Sequence, residues 1–555
     1  MPALTPQETF GALLATWVAW RVLRGFLVKD PLAIVPGPPP KSMFVGNLQE
    51  VFDTMGWDYR DKLVQQYGKV FSFNGIMGKK MLWVHDSKAL YHMLLKEQDI
   101  FEEGEDFLRT NMRVFGEGLL STLGEQHRKQ RKMLNPVFSA AHLRDMTPTF
   151  YSVVHKLEKS IGRQIDQGQA EIDVLPWMSR TALELIGQSG FGRSFDSLEP
   201  DAEEHPYAAS LKRLGGTLQD KPLFFARLFV YRWVHNIVPL RLQRAIVDAL
   251  PWKKLHELRD LVDLMHQTSL GIFDDAKRGL RKGEGSSETK ADGRKDIISA
   301  LIEANMNASE EDRLTDAELI GQVSTIMFAA MDTTSNGLCR TLLLLSENPE
   351  VQRRLREEVT EAYANSDGDL DYEVVSTLPF LDAVCRESLR LHTPVPMLPR
   401  QARMDAVLPL GTPITTTDGK QVNELFIPRT TVLVMSLHHC NRDPDIWGPD
   451  ASEWKPERWL STLPQSVTEA RVPGVYSNLM TFLGGKRSCI GFKFSQLEMK
   501  IVLSLLIRQF EFSPTGKKLA WLSNGVAQPT VHDPTLPEDG RNITQLPLNI
   551  KRVAA

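Results

Sequence analysis

The chain has 555 residues, of which 65 are basic and 69 acidic, and 42% are hydrophobic. This composition is typical of a globular protein with a sizeable core and excludes a disordered or fibrous chain. The net charge of −4 provides no global field for nucleic acid, so no nucleic-acid partner is expected. The four cysteines (Cys339, Cys385, Cys440 and Cys489) form no CxxC pair, which disfavours a disulfide framework or zinc ribbon and favours a reducing compartment.

The amino-terminal segment differs in composition from the rest of the chain. Residues 10–20 read FGALLATWVAW and carry no charge, and VLRGFLV follows Arg21. A single membrane-spanning helix, a helix lying on the membrane surface and a buried helix all remain open, because the run is short for a bilayer. We predict a retained membrane anchor over residues 1–30, a Pro-rich hinge over residues 31–40 and one globular domain over residues 41–555.

Most of the remaining chain has helical spacing, and strand signals gather in two regions. Residues 69–86 and 406–436 are rich in β-branched and aromatic residues, and Asp418 and Gly419 predict a hairpin turn in the second region. The expected fold is therefore mainly α with a small β domain.

A long helix is predicted from Thr315, which forms a capping box with Glu318, to about Ser346. Its middle reads FAAMDTTSN, so that Asp332, Thr333 and Thr334 interrupt an apolar helix. Such residues can form a solvated patch or bond back to the preceding turn. They can also form a polar groove that faces a reaction centre, because a buried carboxylate is costly unless it has a purpose.

Two further motifs contain potential ion pairs. Glu387 and Arg390 lie three residues apart on a helical face, which by itself predicts a surface ion pair worth less than about 1 kcal/mol. Arg458, in the sequence WKPERWL, could complete a partly buried network with that glutamate.

The most distinctive segment is FLGGKRSCIG, residues 482–491. Its single cysteine, Cys489, lies among three glycines, Lys486 and Arg487, a flexible and positively charged setting that indicates chemistry at the sulfur. A nucleophilic cysteine would require a histidine and an orienting acid, which keeps that alternative open but disfavoured.

Together, AAMDTT, ESLR, PER and FLGGKRSCIG occur in an order and spacing that resemble the cytochrome P-450 monooxygenases, in particular the microsomal, fungal-like type. The resemblance implies the P-450 fold, with a long central helix crossing haem b, and makes residues 41–555 a haem-thiolate catalytic domain. It makes Cys489 the iron ligand, with Phe482 beside the sulfur and with Gly485 and Gly491 allowing close passage of the backbone.

The same resemblance implies partners for the haem propionates and a structural triad. Arg487 and Arg131 match arginine positions of the family, His127 stands where the family usually has tryptophan, and Arg400 matches a further arginine. Glu387, Arg390 and Arg458 match a buried triad that holds the cysteine loop.

For the reaction, Asp332 and Thr333 match the acid and alcohol of the family's proton relay. Phe328 and Ala329 are expected to line the substrate pocket, and Ala330 stands where the family often has glycine. The expected reaction inserts one oxygen atom from O2 into a lipophilic small molecule. A haem-thiolate isomerase or dehydratase and a non-catalytic haem-binding redox protein are the alternatives.

Electrons are expected from NADPH through a separate diflavin reductase, because the chain lacks a nucleotide-binding GxGxxG fingerprint in a strand-turn-helix setting. A basic face would meet that partner, or would simply be solvated; it comprises Lys486, Lys493, Arg128, Lys129 and Lys132. The expected location is the endoplasmic reticulum membrane, with a monomeric catalytic domain facing the cytosol.

Overall fold

A computed structural model describes residues 30–218, 220–282, 296–532 and 542–553, together with the isolated residues 16 and 20. The predicted anchor over residues 1–30 lies almost entirely outside the described residues. Within the described ranges, we find no helix that combines the length and the apolar character needed to cross a bilayer.

Helices make up most of the described chain, as predicted. The α-helices are α1 Leu48–Val51, α2 Trp57–Tyr67, α3 Ser87–Tyr91, α4 Glu105–Val114, α5 Gly124–Leu134, α6 Ala140–Asp166, α7 Val174–Leu185, α8 Pro206–Leu218, α9 Lys221–Phe225, α10 Arg232–Ile237, α11 Leu240–Ala249, α12 Lys253–Lys282, α13 Ile297–Asn307, α14 Asp316–Glu347, α15 Pro349–Ala364, α16 Tyr372–Thr377, α17 Pro379–Leu391, α18 Leu437–Cys440, α19 Pro444–Trp447, α20 Gln465–Glu469 and α21 Phe492–Gln509. Shorter 3₁₀ and π turns lie at Pro31–Ile34, Ile76–Gly78, His92–Lys96, Asn135–Phe138, Ile186–Gly190, Ala226–Tyr231, Pro456–Leu460, Met480–Phe482 and Gly485–Arg487.

Helix α14 is the central element of the fold. Its 32 residues span about 48 Å, and it packs against α7, α12, α17 and α21. The predicted capping box is confirmed, since Thr315 Oγ1 accepts the Glu318 N–H and Glu318 Oε2 accepts the Thr315 N–H. The helix ends where Asn348, directly before Pro349, leaves helical geometry.

The strands of the described residues form four small sheets. They are β1 Val70–Asn74, β2 Lys80–Val84, β3 Phe101–Glu102, β4 Glu171–Asp173, β5 Met397–Ala402, β6 Ala406–Thr415, β7 Gln421–Ile427, β8 Val432–Ser436, β9 Phe510–Pro514, β10 Leu519–Asn524, β11 Val526–His532, β12 Asn542–Ile543 and β13 Pro547–Arg552. The sheet orders are β1-β2-β8-β5-β3, β10-β11-β12, β4-β13-β9 and β6-β7. Among the strands that the structure describes, only β2 and β8 pair in parallel.

Both regions predicted as strands are confirmed, and Asp418 and Gly419 lie in the turn between β6 and β7, where Gly419 has a φ of +83°. The short strands β3, β4 and β5 and the carboxy-terminal strands were not predicted. They hold their conformation through pairing with distant segments, which a local sequence pattern does not show.

Residues 31–40, predicted to be a hinge, pack against the domain. Leu32 and Val35 are buried, and the Ser72 N–H of β1 donates to the Pro36 carbonyl at 2.8 Å. This segment is thus attached to the first strand. The division into anchor, hinge and domain stays a prediction.

The capping box of α14 gives a direct stability test. Replacing Thr315 with alanine removes the acceptor for the Glu318 N–H, so we expect a loss of about 1 kcal/mol in the free energy of unfolding, measured by urea denaturation. Thr315→Ser keeps the hydroxyl and should behave like the wild type. Equal losses in the two variants would show that the hydroxyl does not stabilise the helix end.

Candidate active site

The loop before α21 holds Cys489 through backbone hydrogen bonds. The Cys489 N–H donates to the Phe482 carbonyl at 2.9 Å, which closes the loop on itself. The backbone N–H of Gly491 lowers the pKa of the Cys489 thiol and so favours its thiolate form. The ring of Phe482 contacts those of Tyr476 and Phe492, with centroids at 5.6 and 6.1 Å, and so supports the loop from one side.

Two glycines of this loop are required by close contacts within the protein. A Cβ on Gly484 would lie 1.4 Å from the Pro473 carbonyl oxygen, and one on Gly485 would lie 2.0 Å from the Leu94 carbonyl oxygen. Gly485 also has a φ of +68°. Gly485 was predicted to allow the backbone to pass close to a cofactor. In the structure, the group that leaves no room for a side chain at Gly485 is the Leu94 carbonyl.

Cys489 differs from the other cysteines in its surroundings. Cys339, Cys385 and Cys440 are buried, whereas the Cys489 side chain is accessible, although protein surrounds it closely enough that burial raises its thiol pKa. A side chain that is both enclosed and accessible lines an internal space. The Gly491 N–H and the positive charge of Arg131 oppose the effect of burial on the pKa and favour the thiolate.

The middle of α14 is also enclosed by protein and yet accessible. The helix is buried on all sides along most of its length, yet Ala329 is exposed, and its neighbours Phe328, Asp332 and Thr333 are only partly buried. The predicted substrate-lining and relay residues thus lie on one continuous accessible stretch. The ring of Phe115 closes one end of it, with its centroid 4.4 Å from that of Phe328.

The polar groups of this stretch are arranged as follows. The Thr333 hydroxyl donates to the Ala329 carbonyl at 2.9 Å, the back-bonded arrangement that the sequence left open. Burial raises the pKa of Asp332, and the positive charge of Lys212 only partly opposes this. Asp332 forms no ion pair with any described residue, so this carboxyl group can carry a proton at a higher pH than an exposed one.

The predicted propionate partners are brought together beside the cysteine loop. Arg131 donates to the backbone carbonyl and hydroxyl of Ser488 at 2.6 and 2.9 Å. His127 is buried, and its pKa falls to about 3 because of burial and the charges of Arg487, Arg131 and Lys486. Its imidazole is therefore neutral at physiological pH.

Two acidic residues that the sequence did not single out lie between the arginines. Glu103 pairs with Arg400 at 3.2 Å and with Arg487 at 3.0 Å, and Glu102 pairs with Arg487 at 3.3 Å. The Nε of Arg400 is buried without a hydrogen-bond partner. The acidic run EEGED was visible in the sequence, but only the pairing of β3 with β5 brings it to Arg400.

Glu387, Arg390 and Arg458 form a buried network. Two hydrogen bonds of 2.8 Å join Arg390 to Glu387, and both side chains are fully buried. Arg458 approaches Glu387 at 3.4 Å and pairs with Asp450 at 3.0 Å. Trp459, which the sequence analysis missed, donates to Glu387 at 2.9 Å.

This network is connected to the cysteine loop through Asn441. Arg390 donates to the Asn441 carbonyl at 2.9 Å. The Asn441 side chain accepts the Met480 N–H at 2.7 Å and donates to the Thr481 hydroxyl at 2.9 Å. The next residue, Phe482, accepts the Cys489 N–H. The buried ion pair thus positions the segment that holds the sulfur.

Comparison with known proteins identifies the family. A family model described as Cytochrome P450 matches residues 36–532. Cytochrome P450 monooxygenase 91 and Cytochrome P450 monooxygenase 212 of Postia placenta are 45% and 43% identical to this chain, each over 97% of both chains. Ganoderic acid synthetase CYP5150L8 of Ganoderma lucidum is 41% identical over 94% of this chain and 96% of its own length. The chain belongs to the cytochrome P450 monooxygenases.

The residues present fit the haem that this family binds. Cys489 would ligate the iron, and the arginine cluster with its unpartnered Arg400 Nε would hold the propionates. When bound, haem supplies the activation of O2 with electrons from a redox partner. The Gly491 N–H and Arg131 would stabilise the thiolate, and Asp332 and Thr333 lie on the accessible stretch of α14.

Removing the buried carboxylate of the network should be severely destabilising. Glu387→Ala leaves the Arg390 guanidinium buried without its acid, with an expected cost of about 3–5 kcal/mol and loss of bound haem. Thermal unfolding and haem content measure the two effects. Glu350→Ala removes an exposed carboxylate paired with Arg353 and should change neither; similar results for both variants would contradict the assigned role.

Asp332→Asn should make the protein more stable at neutral pH. Folding raises the pKa of Asp332, so ionisation costs stability as the pH rises above the unfolded value of about 3.8, and an amide removes that cost. The gain in thermal midpoint should therefore be present at pH 7 and shrink towards pH 4. The exposed Asp367→Asn is the control. A gain independent of pH would contradict this explanation.

Proposed function

We propose that the enzyme inserts one oxygen atom from O2 into a lipophilic organic substrate, by hydroxylation or a related oxidation, with NADPH electrons delivered by a separate diflavin reductase. The main support for this proposal is the accessible stretch of α14. There an acid and an alcohol, Asp332 and Thr333, interrupt an otherwise buried helix. The apolar neighbours Phe328, Ala329 and Phe115 support a lipophilic substrate.

Thr333 and Asp332 act as a proton relay in this proposal. The Thr333 hydroxyl has one neighbour to which it donates, the Ala329 carbonyl, and its oxygen remains free to accept a further hydrogen bond. Burial raises the pKa of Asp332, which favours this carboxyl group as the proton source next to it. An isomerase or dehydratase that does not activate O2 would have no need of this pair.

Thr333→Ala should uncouple electron consumption from product formation. With a diflavin reductase supplied, the variant should consume NADPH at a comparable rate but release hydrogen peroxide, whereas Thr333→Ser should retain most of the coupling. Thiolate ligation is checked in each preparation by the red-shifted Soret band of the reduced carbon monoxide complex. We expect Cys489→Ala to lack this band. Unchanged coupling in Thr333→Ala would remove the relay assignment.

Docking of the reductase would take place on the basic face near the cysteine loop. Three of its members are already paired with acids: Lys486 with Asp99, Arg128 with Glu125 and Lys132 with Asp312. Lys129 and Lys493 form no ion pair with any described residue. The face is therefore less positive than the sequence suggests, and its exposed pairs would have to exchange partners with an acidic protein.

We also propose that the enzyme works as a monomer on the cytosolic face of the endoplasmic reticulum membrane. The four free cysteines are suited to a reducing compartment. An exposed apolar face at α9–α11 supports membrane contact beyond the amino-terminal segment. Its members are Phe224, Phe225, Phe229, Val230, Trp233, Ile237, Leu240, Leu242, Ile246 and Leu250.

Trp233, the most exposed aromatic side chain of this apolar face, gives a test of membrane contact. Its side chain is 66% exposed, so insertion into a bilayer should allow quenching by lipids brominated in their acyl chains. The fluorescence difference between wild type and Trp233→Phe isolates its signal on vesicles, and Trp454→Phe, at a half-buried tryptophan bonded to Ser388, is the control. An unquenched Trp233 would contradict contact at this face.

A further inference from the structure

A pocket of about 240 Å³ lies among α2, α14, the end of α17 and the β10–β11 hairpin. Trp57, Trp521, Pro394 and Ala527 give it aromatic and apolar walls. This volume corresponds to roughly eight water molecules in the liquid. None of the residues assigned above to the haem or to the proton relay lines it.

The polar side of the pocket contains an arginine without a counter-ion. Arg340 of α14 stacks its guanidinium 3.7 Å from the ring centroid of Trp521. Its Nε has no hydrogen-bond partner, and it forms no ion pair with any described residue. Burial lowers the pKa of Arg340 to about 9, which reflects the cost of holding this charge away from water.

Two uncharged polar groups on the pocket wall also lack partners. The Asn336 Oδ1 and the Thr393 Oγ are buried and accept or donate no hydrogen bond within the described chain. A threonine hydroxyl can donate to an anion, as can the Arg340 Nε. The Asn336 Oδ1 can only accept, so the Arg340 Nε and the Thr393 hydroxyl are the unpartnered donors on this wall that a ligand oxygen would satisfy.

The remaining ionisable groups leave the pocket positive. Arg442 donates to the Nε2 of His438 at 2.8 Å and forms no ion pair in the described chain. Asp61 is 46% exposed and bonded to His439 at 2.9 Å, so it lies at the solvent side. Burial lowers the pKa of His392 and of His438 well below the usual value, so both are neutral. Two arginines thus face one carboxylate.

The pocket lies about one helical turn along α14 from the accessible stretch. The Asn336 side chain donates to the Asp332 carbonyl at 2.7 Å. Arg340 follows Thr333 by seven residues, a separation of roughly 10 Å along the helix. A ligand held at Arg340 could therefore extend along α14 towards the relay residues.

We propose that this pocket binds the carboxylate of a lipophilic organic acid, and that Arg340 is the specificity-determining residue. The planar guanidinium matches a carboxylate with two parallel hydrogen bonds, and the aromatic walls suit an organic body better than an inorganic anion. As a statement about the substrate, this rests on the proposed function; the carboxylate would lie roughly 10 Å along α14 from Thr333.

Calorimetric titration of the haem-loaded, full-length protein tests the pocket without turnover. The probes are decanoate, decanol and inorganic phosphate, on wild type, Arg340→Gln and the exposed control Arg353→Gln. Loss of one charged hydrogen-bonding partner corresponds to a change of about tenfold in affinity or more. We expect decanoate to bind wild type at least about tenfold more tightly than decanol, and Arg340→Gln to abolish this preference while leaving decanol binding unchanged.

Equal affinities of wild type for decanoate and decanol would overturn the proposal, and this comparison does not depend on the folding of any variant. Decanoate binding that survives in Arg340→Gln, or phosphate binding to the wild type as tight as decanoate binding, would also overturn it. If decanoate binds through Arg340 but is not oxidised with a reductase present, the pocket stands and the substrate assignment fails.

Discussion

The buried ion pair between Glu387 and Arg390 is the interaction on which the arrangement of the active site depends. A fully buried pair of charges gains little net stability over well-packed apolar residues, because desolvation offsets the attraction. Its value here is positional. The Arg390 guanidinium donates to the carbonyls of Asn441, Ala451 and Glu453. These three points lie in a region whose regular structure is the four-residue helix α19. The cysteine loop is held in place by its hydrogen bonds to Asn441 in that region.

Local patterns predicted those parts of the fold whose causes are local. The start of α14 follows from Thr315 and Glu318, whose mutual hydrogen bonds need only four consecutive residues. The β6–β7 hairpin follows from its turn residues, and the end of α14 from Pro349. The unusual setting of Cys489 was also visible in ten residues, and it led to the correct family.

The remaining features depend on contacts between distant segments. Glu387 and Arg390 at helical spacing predict an exposed pair, and only the packing of Trp459 and residues 441–458 around them makes the pair buried. Glu103 reaches Arg400 because β3 pairs with β5. The two strands are some 300 residues apart in the sequence, and only two residues of β3 set their register. Arg340 reads as an ordinary residue of a long helix, and its lack of a counter-ion exists only in three dimensions.

The distribution of the four cysteines has a practical consequence for handling the protein. Three thiols are sealed in the core, and burial raises the pKa of each, so they should resist alkylation as long as the fold is intact. The fourth thiol, that of Cys489, would be protected from the reagent when it ligates the haem iron. Alkylation of the native protein, measured as a mass increase, therefore gives the fraction of molecules that folded without haem.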